Sequence, residues 1–186
     1  MAEVFPQKTV AQFAERACIH PKRGPFLFRL VRELQPMTIL ELGTGFGIST
    51  LYIAAASKLN GTGNITTLEG ASQPVRIARS NFEKAGLGGN ITSIHGFFQD
   101  TLDGILATLG EVDFVFIDGH HEEEPTLSYV HKILPRLSAC GMIVLDDIDW
   151  SEGMMKAWRV LSGLPFIESA TAYQWIGLLT PIPCKN

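Results

Sequence analysis

Short apolar segments alternate with longer segments of helical spacing from residue 37 onward. The short segments are rich in β-branched residues and have the length of buried strands, and they end near residues 42, 69, 96, 118 and 146. The longer segments carry apolar residues three and four positions apart, and they span residues 49–59, 73–85, 99–109, 122–137 and 152–161. This alternation predicts an α/β fold in which a mostly parallel, Rossmann-like sheet has helices on both faces.

The end of the chain breaks the alternation. Residues 165–172 and 173–180 predict two strands with almost no chain between them. A parallel pair needs a crossover of about a dozen residues, so these two strands should pair antiparallel at the edge of the sheet.

Helical spacing also occurs ahead of the first strand, over residues 9–17 and 25–34. We interpret residues 1–36 as an N-terminal helical segment that covers the ligand site, with ordinary packing helices as the alternative. Residues 37–186 then form the domain that builds the site, and the length of the chain favours one sizeable core for the whole.

Composition and charge narrow the classes of partner. The chain has 186 residues, of which 46% are hydrophobic, and its 19 acidic and 15 basic residues give a net charge of −4. Because it has no run of Lys and Arg, a nucleic-acid partner is not expected. No apolar run is long enough to cross a membrane, and Glu3, Lys8 and Glu15 interrupt the region where a signal peptide needs an apolar core. We therefore expect a cytoplasmic protein that acts on a small molecule, without nucleic acid or membrane partners.

The three cysteines, Cys18, Cys140 and Cys184, lie far apart in the chain. They have neither C-x-x-C spacing nor another pattern typical of zinc sites. We expect them to be reduced, with Cys140 as a buried small residue.

A glycine-rich loop connects the first predicted strand to the next helix. Gly43, Gly45 and Gly47 follow the strand directly, and the helix begins near Ser49. Such a loop turns tightly and presents bare backbone N–H groups to a ligand at a helix N-terminus. The dinucleotide fingerprint G-x-G-x-x-G would need its third glycine at Ile48, so a nicotinamide enzyme is the weaker alternative.

Two carboxylates near this loop favour a cofactor that carries a ribose and an ammonium group and no pyrophosphate. Glu69 closes the second predicted strand, where a carboxylate can accept both hydroxyls of a ribose. Glu41 lies two residues before the first glycine, where its charge would repel a pyrophosphate and attract an ammonium group.

The pattern E-x-G-x-G-x-G, with an acidic residue closing the second strand, resembles that of class I S-adenosylmethionine-dependent methyltransferases. The resemblance covers about residues 38–180. It implies a seven-stranded sheet of order 3-2-1-4-5-7-6 with an antiparallel last strand pair, and S-adenosylmethionine lying across the carboxyl ends of the strands.

The resemblance also implies roles for individual residues. Ser49 would contact the methionine carboxylate and Glu69 would hold the ribose. Phe98 and Gln99 match an adenine contact after the third strand, and Gly70 leaves room for the ring. The implied cofactor-binding residues are Glu41, Gly43, Thr44, Gly45, Gly47, Ser49, Glu69, Gly70, Phe98, Gln99 and Asp118.

Three further carboxylates follow the fourth and fifth predicted strands. Asp118, Asp146 and Asp147 should converge at the carboxyl edge of the sheet, beside the glycine loop. Three carboxylates this close cannot all stay ionised unless a cation binds or a proton is shared. If a metal is the cation, its expected ligands are Asp118, Asp146 and Asp147, and their oxygen chemistry suits Mg²⁺ or another divalent cation.

This arrangement is similar to that of the catechol and caffeoyl-coenzyme A O-methyltransferases, in which an Asp after strand four and an Asp-Asn pair after strand five hold a metal. Two residues depart from that pattern. Asp147 stands where the group usually has Asn, and His121 stands where it has a catalytic Lys. The D-G-x-H sequence of Asp118, Gly119 and His121 resembles a broader methyltransferase group, which leaves metal dependence open.

The expected function is methyl transfer from S-adenosylmethionine to a hydroxyl of a small molecule. His121 is the predicted general base, with Asp118 as the second catalytic residue, because an imidazole of pKa near 6.5 can accept a proton at neutral pH. Trp150 is a candidate wall for a planar acceptor.

Three alternatives stay open on the sequence. They are a metal-independent methyltransferase with another acceptor, a non-catalytic S-adenosylmethionine-binding module and, as the weakest, an NAD-dependent oxidoreductase. A homodimer in which a second subunit completes the acceptor site is also open.

Overall fold

The structure, a computed structural model, describes residues 22–182, and its centre is a seven-stranded β-sheet. The strands are β1 (Thr38–Leu42), β2 (Asn64–Glu69), β3 (Ile91–His95), β4 (Val112–Ile117), β5 (Leu137–Leu145), β6 (Ile167–Tyr173) and β7 (Ile176–Pro181). Their order across the sheet is β3-β2-β1-β4-β5-β7-β6. Strands β1 to β5 pair in parallel, whereas β7 runs antiparallel to both β5 and β6. The predicted fold class and strand order are confirmed.

Six α-helices of the described residues accompany the sheet. They are α1 (Arg23–Leu34), α2 (Ile48–Asn60), α3 (Ser72–Lys84), α4 (Phe98–Leu109), α5 (Glu123–Ile133) and α6 (Glu152–Ser162). Five of them agree with the predicted helices to within two residues at each end. The helix predicted for residues 9–17 lies outside the described residues. No helix within residues 22–182 is both long and apolar enough to cross a membrane.

The prediction was wrong at the boundary between helix α5 and the strand that follows it, β5. We predicted a helix over residues 122–137 and the next strand after it, but α5 ends at Ile133 and β5 begins at Leu137. Pro135 lies in the short 3-10 turn between them. Because proline lacks a backbone N–H and its ring clashes with the preceding helical turn, the helix cannot continue to residue 137.

The early part of β5 also corrects the expectation for Cys140, which is exposed. The register between β4 and β5 shifts between Val112 and Phe114, so β5 bulges away from the regular ladder opposite this point. Cys140 lies in the bulged part, between the paired residues Leu137 and Met142.

The sheet is buried on both faces because its central strands are apolar at consecutive positions. In β1, Leu40 packs into the core under α4, α5 and α6, whereas Ile39 packs into the core under α1 and α2. In β4, Val115 packs into the same core as Leu40, and Phe116 packs into the same core as Ile39. Successive strand side chains point to opposite faces, so an uninterrupted apolar strand is typical of a parallel sheet covered on both sides.

Helix α1 belongs to the second of these cores. Leu27 and Val31, four residues apart, are fully buried there. A Cβ at Gly24 would lie 2.2 Å from the ring of Tyr52, so α1 and α2 approach closely at this point. This packing brings Arg23, the first residue of α1, to the carboxyl edge of the sheet.

Candidate active site

The loops that follow strands β1 to β5 line a cavity of about 620 Å³ at the carboxyl edge of the sheet. The predicted site residues that line it are Gly43, Thr44, Gly45, Ser49, Glu69, Gly70, Phe98, Gln99, Asp118, His121, Asp146 and Asp147. Glu41 and Gly47 do not line the cavity. Arg23 and Phe97, which were absent from the predicted set, do.

The glycine loop folds back onto the sheet and leaves no room for side chains at two of its positions. Gly43 has a φ of +107°, and a Cβ there would lie 2.0 Å from the carbonyl oxygen of Asp118. Gly47 has a φ of +80°, and a Cβ there would meet the ring of Phe82 at 2.3 Å. Gly43 therefore lets the loops after β1 and β4 touch, whereas Gly47 serves the packing of α2 against α3.

We expect Gly43→Ala to lower the free energy of unfolding by about 3 kcal/mol, because it adds backbone strain and a clash with main-chain atoms. Thermal unfolding followed by circular dichroism measures this change. The matched control is Gly104→Ala in α4, where the added Cβ has no neighbour within 4 Å. That change should stabilise the helix by about 0.5–1 kcal/mol. A Gly43→Ala protein as stable as the wild type would show that the two loops do not approach as described.

Glu41 lies behind the loop as a buried carboxylate. Its Oε2 accepts hydrogen bonds from the hydroxyls of Thr50 and Thr67, both at 2.5 Å. Its Oε1 is buried and has no hydrogen-bond partner among residues 22–182. Burial raises the pKa of Glu41, and the hydroxyls of Thr50, Thr67 and Ser49 oppose that rise.

Glu69 joins the end of β2 to the glycine loop. Its Oε2 accepts the backbone N–H of Gly45 at 3.0 Å, and its Oε1 accepts the N–H of Ala71 at 2.9 Å. Each carboxylate oxygen has a second lone pair, so the oriented carboxylate can accept further hydrogen bonds from a ligand in the cavity. Beside it, the ring of Phe97 lies over Gly70, where a Cβ would be 3.1 Å from the ring.

Phe98 and Gln99 enter the cavity from the start of α4. Phe98 is 9% exposed and makes an edge-to-face contact with Tyr129, with the ring centroids 5.6 Å apart. Little of this side chain is free for a ligand, so Phe98 belongs largely to the core. Phe97 is 61% exposed and offers the larger aromatic surface to the cavity.

The carboxylates after β4 and β5 converge as predicted, but an arginine lies among them. The Nη1 of Arg23 lies 2.5 Å from Oδ2 of Asp146, and its Nη2 lies 2.7 Å from Oδ1 of Asp147. The guanidinium also lies over the ring of Trp175, 5.3 Å from the centroid. Burial acts to lower the pKa of Arg23, but Asp146 and Asp147 outweigh it and raise that pKa above its ordinary value.

Burial also governs the two innermost carboxyl groups. It raises the pKa of Asp146 to about 6, against the opposing effect of Arg23 and with a further rise from Asp147. Burial, followed by the charges of Asp146 and Asp147, raises the pKa of Asp118 well above its usual range. The cluster therefore has more negative charge than the single guanidinium neutralises.

The structure groups a different set of metal-ligating side chains from the one we predicted. Asp118, His121 and Asp147 each offer a ligand atom within 4.8 Å of the others, and Asp146 is outside this group. Asp146 is 1% exposed and paired with Arg23, which also holds one oxygen of Asp147. A divalent cation would have to displace this guanidinium or bind beside its positive charge. The residues present do not fit the metal site that the resemblance implies.

His121 lines the cavity beside two of the acidic groups. Its Nε2 is 3.6 Å from Oδ1 of Asp118 and 4.0 Å from Oδ2 of Asp147. Burial lowers the pKa of His121, an effect that the charge of Asp147 opposes, and this shift favours the neutral ring at pH 7. Trp150 is 69% exposed, and its ring centroid lies 6.2 Å from that of His121. The adjacent His120 has a φ of +56° and a hydrogen bond of 2.8 Å between its Nδ1 and the hydroxyl of Tyr129.

Residues 40–148, more than half of the chain, match the sequence model of a family described as a methyltransferase domain. The chain belongs to this methyltransferase family. The predicted resemblance is confirmed, and the matched residues contain the glycine loop, Glu69, the acidic cluster and His121.

Named relatives of this methyltransferase domain are O-methyltransferases. A catechol O-methyltransferase of Niastella koreensis is 33% identical over 130 residues, which are 69% of this chain and 57% of that protein. One of Mycobacterium tuberculosis is 28% identical over 140 residues, which are 75% of this chain and 61% of that protein. The chain thus spans about 60% of the length of these relatives.

The fold of this methyltransferase domain is also that of an O-methyltransferase from Bacillus cereus whose crystal structure is a complex with SAH. The TM-score is 0.75 at 24% sequence identity, and the alignment covers 89% of this chain and 83% of that one.

Sequence reasoning missed Arg23, which lies outside the residues that match the family. It begins an ordinary amphipathic helix, and its carboxylate partners lie more than 120 positions further along the chain. No local motif marks it. The only available signal was the interpretation that the N-terminal segment covers the ligand site.

Proposed function

We propose that this chain forms an S-adenosylmethionine-dependent O-methyltransferase that acts on a hydroxyl group of a small molecule. The observation that carries the proposal is one cavity lined by the glycine loop and Glu69 on one side and by His121 and Asp118 on the other. The first group of residues has the chemistry to hold a nucleoside cofactor. The second has the chemistry to accept a proton. The names of the relatives support the same reaction class.

In this proposal the cofactor lies along the loops after β1 and β2. The second lone pairs of the Glu69 carboxylate accept the two ribose hydroxyls, and Phe97, Phe98 and Gln99 contact the adenine next to Gly70. Ser49 contacts the methionine carboxylate at the start of α2. Glu41 is fully buried and does not line the cavity, so its role in this proposal is to hold the start of α2 against β2 through Thr50 and Thr67.

S-adenosylmethionine supplies an electrophilic methyl group on a positively charged sulfur. The residues of this chain have to align the acceptor oxygen with that methyl group and remove the proton of the hydroxyl. His121 is suited to take this proton at Nε2, because its lowered pKa favours the neutral ring at pH 7. Asp147, whose charge acts to raise the pKa of His121, stabilises the imidazolium that results, and Asp118 lies 3.6 Å from the same nitrogen. We derive no step through a divalent metal, because Arg23 holds two of the three predicted ligands.

Two assays test this proposal. Calorimetric titration with S-adenosylmethionine and separately with NAD identifies the cofactor. Incubation with S-adenosylmethionine and a panel of catechols, phenols and aliphatic alcohols, followed by mass spectrometry, detects S-adenosylhomocysteine and the methylated acceptor. Binding of S-adenosylmethionine and formation of a methyl ether are expected. Binding of NAD in its place would refute the proposal.

The lowered pKa of His121 predicts the pH dependence of the reaction. The neutral ring is the base, and burial shifts its protonation below pH 6.5, so kcat/KM should rise through mildly acidic pH and be level by pH 7. Measurement of kcat/KM between pH 5 and 8 checks this. Burial raises the pKa of Asp146 to about 6, so the same profile is also measured for His121→Ala, in which the rise assigned to the imidazole disappears. The exposed His131→Gln serves as the control that keeps it. A rise centred above pH 7 would contradict the assignment.

A further inference from the structure

The guanidinium of Arg23 has the position and charge that the sequence led us to expect of a metal ion. We propose that Arg23 is the resident cation of the acceptor side of this site, replacing a divalent metal and holding Asp147 beside His121 for metal-independent methyl transfer. This inference rests on the proposed function, of which it specifies the acceptor half.

The first argument is the geometry of the two ion pairs. One guanidinium nitrogen faces Asp146 and the other faces Asp147, at 2.5 and 2.7 Å. A planar guanidinium can bridge two carboxylates in this way, whereas the point charge of a lysine cannot engage both with the same geometry. The side chains of Arg23 and Asp146 are only 13% and 1% exposed. These ion pairs are therefore buried and not incidental surface contacts. Removal of the Arg23 guanidinium would leave two carboxylates without a counter-charge, which is costly in a buried site.

The second argument is the orientation of Asp147. This residue has a φ of +53°, a conformation that a non-glycine residue adopts at a cost, and its N–H donates to Oδ1 of Asp146 at 2.9 Å. Arg23 holds Oδ1 of Asp147, and Oδ2 is the oxygen that faces Nε2 of His121. Arg23 is therefore a positioning residue that acts on His121 through Asp147.

The third argument is that packing of a separate element, helix α1, places the Arg23 guanidinium among the carboxylates that follow β4 and β5. Arg23 is the first residue of α1, which is held against α2 by the close approach of Gly24 to Tyr52. The ring of Trp175, between β6 and β7, covers the guanidinium. These contacts hold the positive charge where a divalent cation would otherwise be attracted, and like charges repel a second cation there.

The test measures Mn²⁺ binding by electron paramagnetic resonance on the full chain, so it does not depend on turnover. We expect no stoichiometric Mn²⁺ site in the wild type. We expect a new site of one Mn²⁺ per chain in Arg23→Ala, and its loss in Arg23→Ala/Asp147→Asn. Arg29→Ala, an exposed arginine of the same helix, is the control that gains no site. A stoichiometric wild-type site that Asp147→Asn removes would overturn the proposal, and this titration needs no variant lacking Arg23.

The kinetic arm separates a positioning role from a merely structural one. We expect kcat of Arg23→Ala to fall about 10²-fold, as for a misplaced catalytic group, while the Kd for S-adenosylmethionine stays within about threefold. Arg23→Lys should recover only part of kcat. Wild-type turnover should be the same with chelator as with Mg²⁺. Turnover abolished by chelator and restored by Mg²⁺ would refute the inference while leaving the proposed function intact. Failure of the wild type to bind S-adenosylmethionine would instead refute the proposed function.

Discussion

Glu69→Ala is expected to weaken the binding of S-adenosylmethionine by about 10²–10⁴-fold. Two hydrogen bonds from ribose hydroxyls to a charged carboxylate contribute about 1.5–3 kcal/mol each, and the alanine variant loses both. The orientation of the carboxylate is set beforehand, since Gly45 and Ala71 each donate a backbone N–H to one of its oxygens. Calorimetric titration of the variant and the wild type measures the change in Kd.

Two further variants make this result specific to the ribose contact. Glu83→Ala removes an exposed carboxylate from α3 and should leave the Kd unchanged. Glu69→Gln keeps the shape of the side chain but replaces one oxygen with an amide donor, so its Kd should be intermediate. Because Glu69 also supports the glycine loop, thermal unfolding must show that each variant is folded. A folded Glu69→Ala protein that binds within about threefold of the wild type would show that Glu69 does not hold the ribose.

His121→Ala is expected to lower kcat by about 10²–10⁴-fold, the usual contribution of a general base, while the Kd for S-adenosylmethionine changes by less than about threefold. The imidazole lies on the side of the cavity away from Glu69, so its removal should affect proton transfer and not cofactor binding. Single-turnover measurement of S-adenosylhomocysteine formation gives the rate of the chemical step. His131→Gln, an exposed histidine of α5, is the matched control.

Asp118 allows a stricter test of the same pair. If Asp118 acts by stabilising the imidazolium of His121, Asp118→Asn should lower kcat in the wild type but have little further effect in His121→Ala. Additive losses in the double variant would show that the two residues act independently. A His121→Ala protein with the kcat of the wild type would remove the histidine from the mechanism and direct attention to Asp147.

Much of the fold and of the cofactor side of the cavity was predictable because the relevant signals are local. Parallel strands joined by helices place every strand's carboxyl end at one edge of the sheet, so Glu69 and Asp118 had to meet the glycine loop there. The signal for the end of α5 is also local, because Pro135 lies just after it. Our helix prediction was too long because it followed the apolar spacing past that proline. Gly47 was predicted from the same motif as Gly43, but spacing does not separate a position that lines the cavity from one that packs against Phe82.

The sequence by itself determined the alternating pattern that builds the sheet, the glycine loop and the carboxylates at the strand ends, because each depends on neighbouring residues and on the period of the chain. Only the tertiary structure decided which charges meet in the acceptor half. Arg23 reaches Asp147 across 124 positions, and it does so because α1 packs against α2. Long-range packing leaves no mark in the spacing around an arginine. For that reason the sequence indicated an acidic cluster that needs a cation, and the structure showed that the chain supplies one itself.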